Sequence, residues 1–165
     1  MKPKHSVFRA VELMDMAIRI EAHGRAFYEA CLHATKDVKL REVFRYLLEQ
    51  EAVHARVFSA MKEGMDADET LPESYPGELR NYLEAFVERE VFDDPDSASK
   101  RVAEIKDPSD AIEAALEFEK QSILFYSGIK SLVRRSEAEQ VDRVIAEEHQ
   151  HVRRLKALRE EVTRE

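Results

Sequence analysis

The sequence predicts an all-α protein: a four-helix bundle whose two hairpins are joined by one long crossover carrying a short helix. Three observations lead there. Four long stretches repeat apolar residues at i, i+3, i+4 and i+7, the pattern of a helix with one buried stripe. Only 4 glycines and 5 prolines punctuate 165 residues, too few for an all-β chain, which needs a turn signal every ~8–12 residues. The links between the stretches run short, long, short, and a short link makes its two helices antiparallel neighbours. Four helices with one apolar stripe each bury those stripes together in a single core.

The first helix runs from about Val7 to His33, with Leu13, Ala17, Ile20, Gly24, Phe27 and Cys31 on the buried stripe. The second runs from Asp37, an N-cap residue, to Glu63, and Gly64 stops it. The crossover of about 43 residues holds Pro72, Pro76 and Pro95, which exclude a tight hairpin. Within it Leu79, Tyr82, Leu83, Phe86 and Val87 mark a short amphipathic helix, and Ser97 to Ile105 suits another turn or two. The third long helix opens at Asp107-Pro108, where proline fits the first turn, and ends near Leu132. The fourth opens on Ser136-Glu137-Ala138-Glu139, a capping-box spelling, and continues almost to the end. All of 1–165 is expected to form one domain.

Composition narrows the function. Charged residues make up 36% and hydrophobic ones 44%, enough to fill a core and still leave a charged surface. A net charge of −8 opposes nucleic-acid binding, which draws on neutralised phosphates. The basic run Arg153, Arg154, Lys156 and Arg159 falls near a helix C-terminus, where cations complement the helix dipole. No apolar run is long enough to span a membrane, and Glu12 and Asp15 interrupt the N-terminal segment, so no membrane association is expected. A lone cysteine, Cys31, forms no intrachain disulfide and builds no four-thiolate centre; a reducing, cytoplasmic setting is the simple reading.

The chemistry lies in an internal repeat. Ala17–Tyr28 (AIRIEAHGRAFY) overlies Ala115–Tyr126 (ALEFEKQSILFY) without a gap, pairing Glu21 with Glu119 and Tyr28 with Tyr126. Leu47–Arg56 (LLEQEAVHAR) overlies Val144–Arg153 (VIAEEHQHVR), pairing Glu51 with Glu148 and His54 with His151. Each hairpin thus supplies one Glu and one Glu-x-x-His. Three residues span about 300° of helix, so the Glu and His of this motif are neighbours on one face and can grip one ion. With 24 glutamates in the chain, six histidines would show such a pairing about once by chance; the matching places in the repeat carry the weight. Glu21 and Glu119 fall on core-facing stripes, where an uncompensated carboxylate is very costly. Two divalent ions balance four carboxylates, and oxygen plus imidazole ligands suit iron or manganese, with zinc also compatible.

Lesser features cluster around these residues. Tyr28 and Tyr126 lie two turns after their glutamates on the same face, placed either to support a carboxylate or to fill the core. Gly24 and Ser122, one turn beyond Glu21 and Glu119, leave room for a small oxidant or for close helix packing. His23 and His149 face elsewhere and read as surface or supporting groups, and Cys31 as a small core residue.

These segments resemble the rubrerythrin-type branch of the ferritin-like di-iron carboxylate superfamily, in its short form without a rubredoxin domain. The resemblance covers the four helices and the crossover. It implies two iron ions bridged by Glu51 and Glu148, with Glu21 and Glu119 as terminal ligands, His54 and His151 each capping one metal, and no catalytic residues beyond the ligands. Rubrerythrins commonly carry a further carboxylate three residues after the third-helix glutamate; here that place is Ser122. Bacterioferritin shares the six-ligand set, but its haem-ligating methionine would fall on Ala52.

Two functions fit the resemblance. One is an oxidoreductase that reduces hydrogen peroxide or dioxygen and takes its electrons from an external donor, a rubredoxin-like protein or a flavin reductase. The other is a ferroxidase, storage or metal-sensing protein. A homodimer is expected for the first and a many-subunit shell for storage.

Overall fold

The computed structural model describes residues 8–71, 77–88 and 97–164. Among these residues six helices follow in order: α1 (Ala10–Ala34), α2 (Val38–Glu63), α3 (Gly77–Glu88), α4 (Ser97–Ala103), α5 (Pro108–Lys130) and α6 (Arg135–Val162). The expected start at Val7, the prolines Pro72, Pro76 and Pro95, and the side chains of Phe86 and Val87 lie outside the described residues. The described residues of the crossover hold two helices, α3 and α4, where one short helix and a further turn or two were expected.

Local chemistry sets the boundaries. Asp37 caps α2 by accepting a 2.9 Å hydrogen bond from the Leu40 N–H, and Asp107 caps α5 through the Asp110 N–H, with Pro108 in the first turn. Gly64 closes α2 in a right-handed conformation. The start of α6 differs from expectation. The helix begins at Arg135, because Glu137, rather than Ser136, organises the first turn. Its carboxylate accepts from the Arg134 backbone N–H at 2.9 Å and from the Arg134 guanidinium Nε at 3.0 Å.

Ion pairs at opposite ends show that both hairpins are antiparallel. Lys62, late in α2, meets Asp15, early in α1, at 2.6 Å; Arg159, late in α6, meets Glu113, early in α5, at 2.8 Å. The segments flanking α1 and α2 are clasped by an Arg9–Thr70 β-bridge, with the Leu71 N–H donating to the Phe8 carbonyl at 3.2 Å.

The interior is layered along the bundle. At one end Leu13, Met14, Ala17, Phe58, Phe125, Ile129 and Val141 form an apolar cluster, covered by Leu83 of α3. At the other, Phe27, Cys31, Leu40, Phe44, Ile112, Leu116 and Leu155 form a second one, against which Val102 and Ile105 pack. Buried charge is concentrated between them.

Candidate metal centre

Each of the four long helices sends acidic or basic side chains into that middle layer: Glu21 from α1, Glu51 and His54 from α2, Glu119 from α5, Glu148 and His151 from α6. None of the six is more than 1% exposed. They form two groups, Glu21–Glu51–His54–Glu148 and Glu51–Glu119–Glu148–His151, in each of which one ligand atom per residue lies within 4.8 Å of the others. Glu51 and Glu148 belong to both. All six residues singled out by the repeat therefore converge, and the two groups share the two carboxylates expected to bridge.

The histidines turn Nδ1 inward. His54 Nδ1 lies 3.1 Å from Glu148 Oε1 and 3.6 Å from Glu21 Oε2. His151 Nδ1 lies 2.9 Å from Glu148 Oε2, 3.3 Å from Glu119 Oε2 and 3.7 Å from Glu51 Oε1. The two rings stack at 5.4 Å between centroids.

Tyr28 and Tyr126 occupy the supporting role, with an exchange of partners. The Tyr28 hydroxyl donates to Glu119 Oε1, and the Tyr126 hydroxyl donates to Glu21 Oε1. Each tyrosine thus holds the carboxylate of the opposite repeat and ties α1 to α5 on both sides of the layer. Phe44 stacks on Tyr28 at 5.9 Å, and Phe58 packs on Tyr126 at 4.9 Å, so both phenols are fixed by the apolar layers.

Gly24 and Ser122 serve packing. A Cβ at position 24 would sit 2.7 Å from Glu51 Oε2 and 2.8 Å from the Phe118 ring, so only glycine lets Glu51 and Phe118 approach α1 this closely. The Ser122 hydroxyl turns back to the Phe118 carbonyl at 3.1 Å. His149 is exposed and His23 half-buried. Cys31 is buried, and burial pushes its thiol up to about 12.

Electrostatics expose the strain of so many carboxylates in one layer. Burial, reinforced by Glu21, Glu148 and Glu119, pushes the Glu51 carboxyl well above the usual carboxylate range; burial and Glu148 do the same to Glu119. Burial also raises Glu148, but Glu119 and then the two histidines beside it outweigh that and hold it below the usual range. Burial lowers both histidines, yet Glu148 and Glu21 hold His54 up at about 11, and Glu119 and Glu148 hold His151 up at about 9. Without metal, Glu51, Glu119 and both histidines hold protons more firmly than they would in water.

Even so, protons do not satisfy the layer. Glu21 Oε2, both Glu51 oxygens, Glu148 Oε1, His54 Nδ1 and His151 Nε2 are buried without a hydrogen-bond partner. All of these atoms belong to residues of the two ligand groups. Unpaired buried polar atoms are strongly unfavourable, and cations lodged among these oxygens and imidazole nitrogens would pair them. The residues fit a pair of metal ions.

The rubrerythrin family model matches residues 12–159. The chain belongs to the rubrerythrin family. Its fold is similar to a crystal structure from Thermotoga maritima described as a ferritin-like diiron-carboxylate protein, at 22% identity and a TM-score of 0.68, over 96% of this chain and 99% of that one. No curated protein matches the chain. Among the described residues no helix is long and apolar enough to cross a membrane.

The repeat did not reveal one residue of the layer. Glu147, beside Glu148 but half-exposed, accepts at 2.7 Å from His54 Nε2 across the bundle. Its signal was present in the alignment, where Glu147 stands opposite Gln50. Only packing shows that it reaches a histidine of the other hairpin.

Proposed function

We propose that the chain is a di-iron oxidoreductase that reduces hydrogen peroxide or dioxygen with electrons from an external donor. The observation that supports it is the six-residue cluster, arranged as two ligand groups sharing Glu51 and Glu148. In this reading Glu51 and Glu148 would be shared by the two metals, Glu21 and Glu119 would be terminal ligands, and His54 and His151 would each hold one metal. A reduced pair of irons held there would supply two electrons to an O–O bond.

The protein's own part is positional. Tyr28 and Tyr126 lock the terminal carboxylates, and the apolar layers above and below keep bulk water from the cluster. The single cysteine of these 165 residues, Cys31, is buried in one of those layers and builds no thiolate electron-transfer centre. In this reading the electrons come from a rubredoxin-like protein or a flavin reductase.

Stopped-flow mixing of the ferrous protein with peroxide tests the proposal. An optical change within seconds is expected, with restoration by the donor. No change over minutes removes the peroxidase reading, and a many-subunit shell on a sizing column turns the assignment toward iron storage.

A further inference from the structure

The fold treats the outer nitrogens of the two histidines differently. His54 Nε2 has an acceptor, Glu147 Oε2, at 2.7 Å. His151 Nε2 is buried with no hydrogen-bond partner. The ring of His151 instead meets Tyr46 edge-on, at 6.0 Å and 89°, and the Arg154 guanidinium lies 4.1 Å above that same tyrosine ring. One imidazole is thus backed by an anion, the other by an aromatic ring under a cation.

We propose that the two metal positions are inequivalent: Glu147 is a positioning residue for His54 that makes the Glu21–His54 position fill first and empty last, leaving the Glu119–His151 position the labile one. This rests on the metal-centre reading above. Both histidines point Nδ1 at the carboxylates, so a metal bound through Nδ1 requires the ring proton to sit on Nε2. At His54 that proton is donated to a carboxylate, which fixes the tautomer and ring orientation and strengthens the nitrogen as a ligand. At His151 the same proton is buried without an acceptor, an unfavourable arrangement that metal binding must offset. The difference is written at one aligned position of the repeat, Glu147 against Gln50. Losing such an outer carboxylate typically weakens metal binding by about 10- to 100-fold. Glu147 is 45% exposed, and solvent screening places the effect near the lower end of that range.

Titration of the metal-free full chain with Co(II), followed by visible absorption and calorimetry, tests the proposal. Two steps separated by about tenfold or more in affinity are expected. Glu147→Ala should weaken the tight step by about tenfold and leave the weak one, so that the two merge. Glu147→Gln, which keeps an acceptor oxygen without the charge, should fall between. His54→Ala should remove the tight step and His151→Ala the weak one. Unaltered far-UV circular dichroism in the position-147 variants would show the fold intact, and a change confined to the tight step would separate this role from a merely structural one. Two equal steps in the wild type, a tight step indifferent to Glu147→Ala, or loss of the tight step in His151→Ala would overturn the inequivalence while leaving the metal centre standing. Failure of the wild type to bind Co(II) at all would remove the metal centre and this inference with it.

Discussion

The middle of the bundle and its two ends obey different rules. At the ends Leu13 and Phe58 are buried in one apolar cluster and Phe44 and Leu116 in the other, and removing apolar area from water stabilises the fold whatever the pH or metal supply. In the middle, four carboxylates and two imidazoles are buried to the same degree, and their contribution depends on what neutralises them. The contrast teaches that the ends fold the protein and the middle is held in place by them. Tyr28 and Tyr126 mark the joints, each carrying its ring in an apolar layer and its hydroxyl on a glutamate.

The sharpest break in this contrast comes from the carboxylates common to both ligand groups. Glu51→Ala or Glu148→Ala should abolish binding of both ions while the apolar ends still support a helical fold. Elemental analysis should read about two metals per wild-type chain and essentially none in either variant; normal stoichiometry in them would refute the bridging roles.

A substitution at an end should show the reverse pattern. Leu13→Ala, at a fully buried position, should cost about 2–5 kcal/mol in denaturant titration, equally with and without metal. A loss present in only one state would mean that the two layers are not independent.

Acidity sharpens the comparison further, because chelation should leave a protein whose middle layer is proton-dependent. Glu51 and Glu119 are raised, first by burial and then by neighbouring carboxylates, and His54 and His151 are held up at about 11 and about 9. All four bind protons more firmly when folded, so folding takes up protons and stability falls as pH rises. The histidine contribution is complete below the ordinary value of 6.5 and is lost as pH passes about 9 and then about 11. Glu148, held low, acts oppositely: its contribution is present above 4.5 and disappears in strong acid. The metal-free chain should therefore melt highest in mildly acidic buffer and progressively lower toward pH 9–10, roughly the range in which the raised histidines titrate. The loaded chain should melt several degrees higher at neutral pH and vary less, since metal replaces the protons. Identical melting with and without chelator across this range would count against a filled interior site.

The smallest effect serves as a control. Glu29 is exposed on α1, outside both layers, and Glu29→Ala should change stability by less than ~0.5 kcal/mol and leave metal content intact. A large change would show that charge on the bundle surface, as well as in its middle, governs the fold.

Much of this organisation was legible beforehand because it is periodic. Apolar spacing fixed four helices to within a few residues, and Asp37, Asp107 and Pro108 marked starts that the structure keeps. The start of α6 was misplaced to Ser136 because a Ser-x-x-Glu spelling outranks arginine as a cap, whereas Glu137 is held by both the backbone and the side chain of Arg134. The six-residue cluster was legible for a second reason. Duplication writes the same chemistry twice, and Glu-x-x-His on one helical face needs no tertiary information to be recognised.

The sequence by itself thus determined the helices, their pairing into hairpins and the six side chains of the middle layer, since periodicity and repetition are properties of a chain read in one dimension. Tertiary structure alone decided the contacts that cross between repeats: Tyr28 on Glu119, Tyr126 on Glu21, Glu147 on His54 and the closeness of Glu51 to Gly24. These join residues up to 105 positions apart, and such pairs are set by how four apolar stripes pack against one another, which no local pattern records.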